Sequence, residues 1–241
     1  MAGLLGLAAL AWLYVAAMAA PGAQETMAMP MASSGAWSAG ELCWLVAMWA
    51  IMMVAMMIPS AAPAILLYAS VSHRRQAQTL PVVSAGWFTL GYLLVWTAFA
   101  ATAAGAQWAL HGAALLSSSM RSASPWLGGG LLIAVGLYQW LPLKGACLAH
   151  CRSPLGFFAA EWREGRMGAL VMGFRHGIHC VGCCWLLMTL LFVAGVMNLL
   201  WIATIAGFVL VERLVPGGRM VGRIAGAVLV AWGVLTLTGT V

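Results

Sequence analysis

Residues 82–105, VVSAGWFTLGYLLVWTAFAATAAG, contain no charged side chain. At about 1.5 Å per residue a helix of that length crosses a hydrocarbon core of about 30 Å. Comparable apolar runs lie near 2–20, 43–70, 126–141, 169–193, 197–212 and 224–240. What remains cannot build a water-facing surface. Only 7% of the residues are charged, against about 25% in a soluble domain. Aspartate is absent and the single lysine is Lys144. With a mean hydropathy of +0.99, the chain is expected to be all-α: a polytopic transmembrane bundle of about seven spans forming one integral membrane domain over 1–241.

Several details of that layout follow from local residues. Pro59 and Pro63 are expected to kink or end the second span, since proline removes a backbone donor and clashes with the preceding turn. The fourth run, WLGGGLLIAVGLYQWLP, is short and glycine-rich, and AGVMN at 194–198 is the turn expected to divide the fifth span from the sixth. Short cytoplasmic loops collect Lys and Arg. His73-Arg74-Arg75 follow the second run, Lys144, Arg152, Arg163 and Arg166 the fourth, and Arg213, Arg219 and Arg223 the sixth. This pattern predicts a cytoplasmic N-terminus, with 71–81 and 142–168 inside and 21–40 outside. The first run lacks the basic start of a signal peptide and is read as a retained helix. The same topology accounts for the net charge of +6, so no nucleic-acid partner is invoked; the expected partner is the lipid bilayer.

The stretch RHGIHCVGCCWLLM, 175–188, is unlike its surroundings. At about 100° per residue, His176, Cys180, Cys183 and Cys184 share one helix face. His179 stands at its edge and Met188 continues it. Polar side chains in membrane helices face the bundle interior or a wet cavity, so these donors are expected to converge inside. A second group, Cys147, His150 and Cys151 in PLKGACLAHCRSP, has the spacing of a short helix and lies in the loop leading back to that span. The two segments hold five of the six cysteines and are expected to form one site.

Methionine adds a third feature. Met48, Met52 and Met56 form a stripe on the second span, with Met53 and Met57 beside them, while Met27, Met29 and Met31 alternate in the preceding loop. Thioethers and thiolates are soft ligands that select Cu(I); zinc takes thiolate and imidazole. Read together, the three groups make a ladder of soft donors suited to an ion passed on without its hydration shell. Plainer readings exist for the parts. Methionine is a flexible core filler and a buried cysteine such as Cys43 behaves as a small apolar residue. Arg175 and Glu41 can snorkel to the interface, Glu161, Arg163, Glu164 and Arg166 read as a solvated interfacial helix, and Trp12, Trp87, Trp108 and Trp126 fit an aromatic belt. Packing alone does not call for the imidazoles at 176 and 179.

The segments MWAIMMVAMMIPSAAPAILLY (48–68), GLYQWLPLKGACLAHCRSP (136–154) and GIHCVGCCWLLM with GVMNLLW (177–201) resemble the bacterial family of predicted metal-binding integral membrane proteins of unknown function. The resemblance covers roughly 40–212. It implies a polytopic helical fold in the bacterial inner membrane and a metal site at Cys147, Cys151, His179, Cys180, Cys183 and Cys184. It supplies no reaction.

Two functions compete. The first is binding of a soft metal, Cu(I) before zinc, with transport or delivery across or within the membrane. The second is thiol–disulfide exchange by Cys180 and Cys183, a Cys-x-x-Cys pair. That pair lies in mid-helix rather than at a helix N-terminus, and on the side expected to be reducing. The chain is read as a binding protein rather than an enzyme: there is no HExxH motif, no phosphate loop and no aspartate for ATP chemistry. Covalent haem is ruled out by the lack of Cys-x-x-Cys-His, whereas a non-covalent haem on His176 or His179 stays open. So does a role as accessory subunit or homo-oligomer, since Gly128-Gly129-Gly130 and Gly136 permit close helix contact.

Overall fold

The computed structural model describes residues 2–20, 39–76, 85–116, 122 and 124–239. Among these the chain is helical, with no strand. The helices are α1 (Ala2–Met18), α2 (Ala39–Gln76), α3 (Ala85–Gly112), α4 (Pro125–Tyr138) and α5 (Pro142–Arg152). They continue with α6 (Pro154–Glu161), α7 (Gly165–Thr189), α8 (Leu191–Ala194), α9 (Leu199–Leu214) and α10 (Gly218–Leu237).

Each of the seven apolar runs is mostly helical over its described residues, but fewer helices are long enough to cross a membrane. Among the described residues Ala39–Arg74, Ala85–Gly112, Gly165–Ala194 and Gly218–Leu237 qualify, and α4 with α5 makes a fifth if that bent pair counts as one span. The expected seven is not reached because α1 has 17 residues and α9 has 16, the latter ending in a charged pair, where a crossing needs about 20.

Proline punctuates the chain differently from expectation. Pro59 and Pro63 neither end nor interrupt α2, because membrane helices tolerate proline where neighbours satisfy the backbone. On the turn before them, Ser60 Oγ and the Tyr92 hydroxyl both donate to the Met57 carbonyl, at 3.0 and 3.3 Å, which ties this part of α2 to α3. Pro142 is the effective break. Leu141 before it is extended, as pre-proline residues prefer. Pro142 then opens α5 at a position where its missing N–H costs nothing. The expected loop at 142–154 is therefore mostly a helix, bent 63° from α4 and laid against α7. The turn at 194–198 falls where expected: Gly195 has φ +102° and Asn198 caps α9 by accepting from the Trp201 amide at 3.4 Å.

Glycines bring the long helices together. A Cβ at Gly173 would strike the Phe88 carbonyl and one at Gly91 the Leu170 carbonyl, so α3 and α7 meet backbone to backbone. Helices α4 and α10 use reciprocal pairs, Gly129 against Gly233 and Gly136 against Gly226. The contact face that Gly129 and Gly136 offered is thus taken up within the chain. Two residues expected in cytoplasmic loops are instead core: Lys144 of α5 is 2% exposed and Arg213 of α9 is 4% exposed.

Candidate functional site

The site grows from one face of α7. Cys180, Cys183 and Cys184 are all buried, as the helical spacing predicts. The thiols of Cys183 and Cys184 both donate back to the Cys180 carbonyl, at 3.1 and 3.0 Å. This local bonding keeps the three sulfurs close to one point. The bend at Pro142 then carries α5 across them. Cys151 lies near enough to Cys183 for the two thiols to interact, and Cys147 Sγ fills the space beside Gly182, where a Cβ would stand 2.7 Å from it. The His150 and His179 rings stack at 4.1 Å with 5° between planes. The two cysteine groups are therefore contiguous, with His150 exposed and His179 half-buried at the outer edge.

Helix α2 closes the other side with its proline-flanked turn. Met57 Sδ lies 4.0 Å from Cys184 Sγ, and the Tyr92 hydroxyl, held on the Met57 carbonyl, is 3.0 Å from Cys180 Sγ. Of the methionines on α2, Met57 is the one that meets the thiols, although the stripe was drawn through Met48, Met52 and Met56. Those three are buried, as is Met188 one turn beyond Cys184. Met27, Met29 and Met31 lie outside the described residues.

The residue that the sequence reading missed sits at the centre. Arg213 Nη2 donates to Cys180 Sγ at 2.8 Å and Cys183 Sγ at 3.2 Å, with Cys184 Sγ at 3.7 Å. Its Nη1 donates to Ser60 Oγ at 2.8 Å. Arginine is always charged, and a buried charge left without compensation is costly. The adjacent carboxylate, Glu212, is engaged by Lys144 Nζ at 2.6 and 2.8 Å, and Lys144 also donates to Gln139 Oε1. The groups left to face the guanidinium are the sulfurs. The signal was present in IAGFVLVERLV: apolar residues continue past Glu212-Arg213, and an ionisable pair inside a membrane helix points to function by default.

His176 faces the interior, as its place on the cysteine face predicts, and packs among aromatic rings. It is 2% exposed, and its ring stands among Phe157, Phe88 and Tyr92 at 5.5, 5.9 and 6.0 Å between centroids. Its Nδ1 has no hydrogen-bond partner. Among the described residues no three His, Cys or acidic side chains form a ready-made metal cage. The reason is visible in the bonding: two thiols point back at a carbonyl and a guanidinium holds the middle. The donors are nevertheless soft, adjacent and on short side chains, so rotation about χ1 of Cys183 or Cys184 is enough to change what they face.

A family model described as PpoB2, copper chaperone, matches residues 46–236, most of the chain. The chain belongs to the PpoB2 copper chaperone family. The matched stretch contains every buried donor described above, from Met57 to Arg213. Membership in the PpoB2 family agrees with the expectation of a metal-related family and supports copper binding or delivery in general. It lends nothing to zinc or haem. No curated protein and no solved structure matches the chain.

Proposed function

We propose that this chain takes up Cu(I) on the sulfurs gathered around Arg213 and hands it on within the membrane. The observation that carries the reading is the convergence of buried Cys180, Cys183, Cys184 and Met57, with half-buried Cys151 beside them, assembled from α2, α5 and α7. Copper(I) is held by few soft donors, whereas a structural zinc site wants four ligands. Binding exchanges thiol protons for the metal. Two thiolates around Cu(I) leave one negative charge, which the Arg213 guanidinium offsets. A fixed cation beside the donors also penalises a divalent ion more than a monovalent one for the same ligands, because the Coulomb term scales with charge.

The half-exposed edge, with His150, His179, Cys147 and Cys151, is the access side in this reading. An ion arriving there meets imidazole and half-buried thiols before the buried ones. The recipient is a membrane protein partner or a second copy of the chain. The test is a Cu(I) competition titration on the whole chain in detergent. Cys183→Ser with Cys184→Ser is expected to lose stoichiometric binding at unchanged helix content, since a hydroxyl is a hard donor. Full retention of tight binding in that variant contradicts the proposal.

Thiol–disulfide exchange keeps one observation in its favour, the Arg213 cation beside both Cys180 and Cys183, the kind of neighbour that activates a thiol. Purified protein without copper and with Cys180 and Cys183 oxidised to each other would select it.

A further inference from the structure

Beside the Lys144–Glu212 pair lies a half-open cavity of about 310 Å³ between α5 and the start of α10, with no cysteine in its lining. Its walls include Gln139, Lys144, Glu212, Arg219 and Arg223. That volume is at the lower end of ligand pockets, roughly 300–1,000 Å³. The charges in it do not cancel. Lys144 and Glu212 neutralise each other, which leaves Arg219 and Arg223, one turn apart on α10 and both exposed. Neither has an ion-pair or hydrogen-bond partner among the described residues.

A second observation also asks for an acceptor. Gln139 is 7% exposed, and while its Oε1 accepts from Lys144, its Nε2 donor has no partner. The cavity thus offers two guanidinium forks with the buried Gln139 amide in its wall, and no free carboxylate to compete. Guanidinium pairs recognise phosphate in a bidentate manner. The wall formed by the α4–α5 bend is apolar: Trp140 and Leu141 are 43% and 48% exposed. From Ile224 onward α10 carries no further charge. Arginines at the start of an apolar helix, beside a polar pocket with one apolar wall, match the level of a phospholipid headgroup.

We propose that this cavity binds a phosphate group, with the headgroup of an anionic phospholipid as its source and Arg219 and Arg223 as the phosphate ligands. The site is separate from the thiols and does not depend on copper. Native mass spectrometry of the whole chain in detergent tests it, with phosphatidylglycerol, phosphatidylcholine and inorganic phosphate offered in turn. Wild type is expected to retain phosphatidylglycerol over phosphatidylcholine. Arg219→Gln with Arg223→Gln should lower that retention about tenfold or more, each surface cation contributing a severalfold factor. Helix content measured on the same sample establishes that the variant is folded. Arginine-dependent binding of inorganic phosphate without lipid preference keeps the site and assigns it to free phosphate. Equal retention of both lipids by wild type without phosphate binding, or retention unchanged in the folded variant, overturns the proposal.

Discussion

Arg213 governs how the buried sulfurs behave, because it is the fixed charge they face. Arg213→Gln is expected to weaken Cu(I) affinity at least tenfold, about 1.4 kcal/mol, since the copper–dithiolate unit loses its counter-charge. Arg213→Lys should retain more affinity while losing the fork that also reaches Ser60. A chelator competition series over the three proteins measures this, and equal affinities would remove Arg213 from the account. The neighbouring pair makes a separate prediction. Lys144→Met leaves Glu212 buried alone and should cost about 3–5 kcal/mol, while Lys144→Met with Glu212→Leu should recover most of it. Thermal unfolding in detergent reads both. At this scale the sequence was a good guide to the cysteines, because helical spacing alone puts 180, 183 and 184 on one face. It misplaced Arg213 and Lys144, because a charge at the end of an apolar run looks like a loop charge until a partner in a distant segment, here Glu212 for Lys144, is known.

Two helix contacts decide whether the site exists. Helix α5 reaches α7 only because Gly182 leaves room for Cys147. Gly182→Leu should push α5 away, so that mild oxidation, which is expected to link Cys151 to Cys183 in the wild type, yields severalfold less of that disulfide by peptide mapping. The α3–α7 contact is closer still. Gly173→Leu drives a side chain into the Phe88 carbonyl and should cost about 1–3 kcal/mol or more of stability by overpacking. Element identity was readable from apolar length and the turn at Gly195. The role of proline was not. Pro59 and Pro63 look like breakers in the linear sequence but lie inside the continuous α2, whereas Pro142 both ends α4 and turns the cysteine helix onto its partner.

Across the whole molecule, the long apolar helices α2, α3, α7 and α10 form the scaffold, and the short bent and charged elements α5 and α9 bring the chemistry to it. Seven apolar runs correspond to four or five helices long enough to cross among the described residues, because a run of apolar residues establishes a buried or lipid-facing helix, not its length against the bilayer. A capture step at Met27, Met29 and Met31, which lie outside the described residues, is the proposal that extends this scheme. Replacing all three by Ala is expected to slow copper uptake by cells at limiting copper and to leave the Cu(I) affinity of the purified chain unchanged. The most direct measurement of the central claim is copper K-edge X-ray absorption on the chain loaded with one equivalent of Cu(I). The account predicts a copper environment dominated by sulfur, lost together with the bound copper in Cys183→Ser with Cys184→Ser. A copper shell of nitrogen and oxygen alone, or an unchanged sulfur shell in that variant, would contradict it.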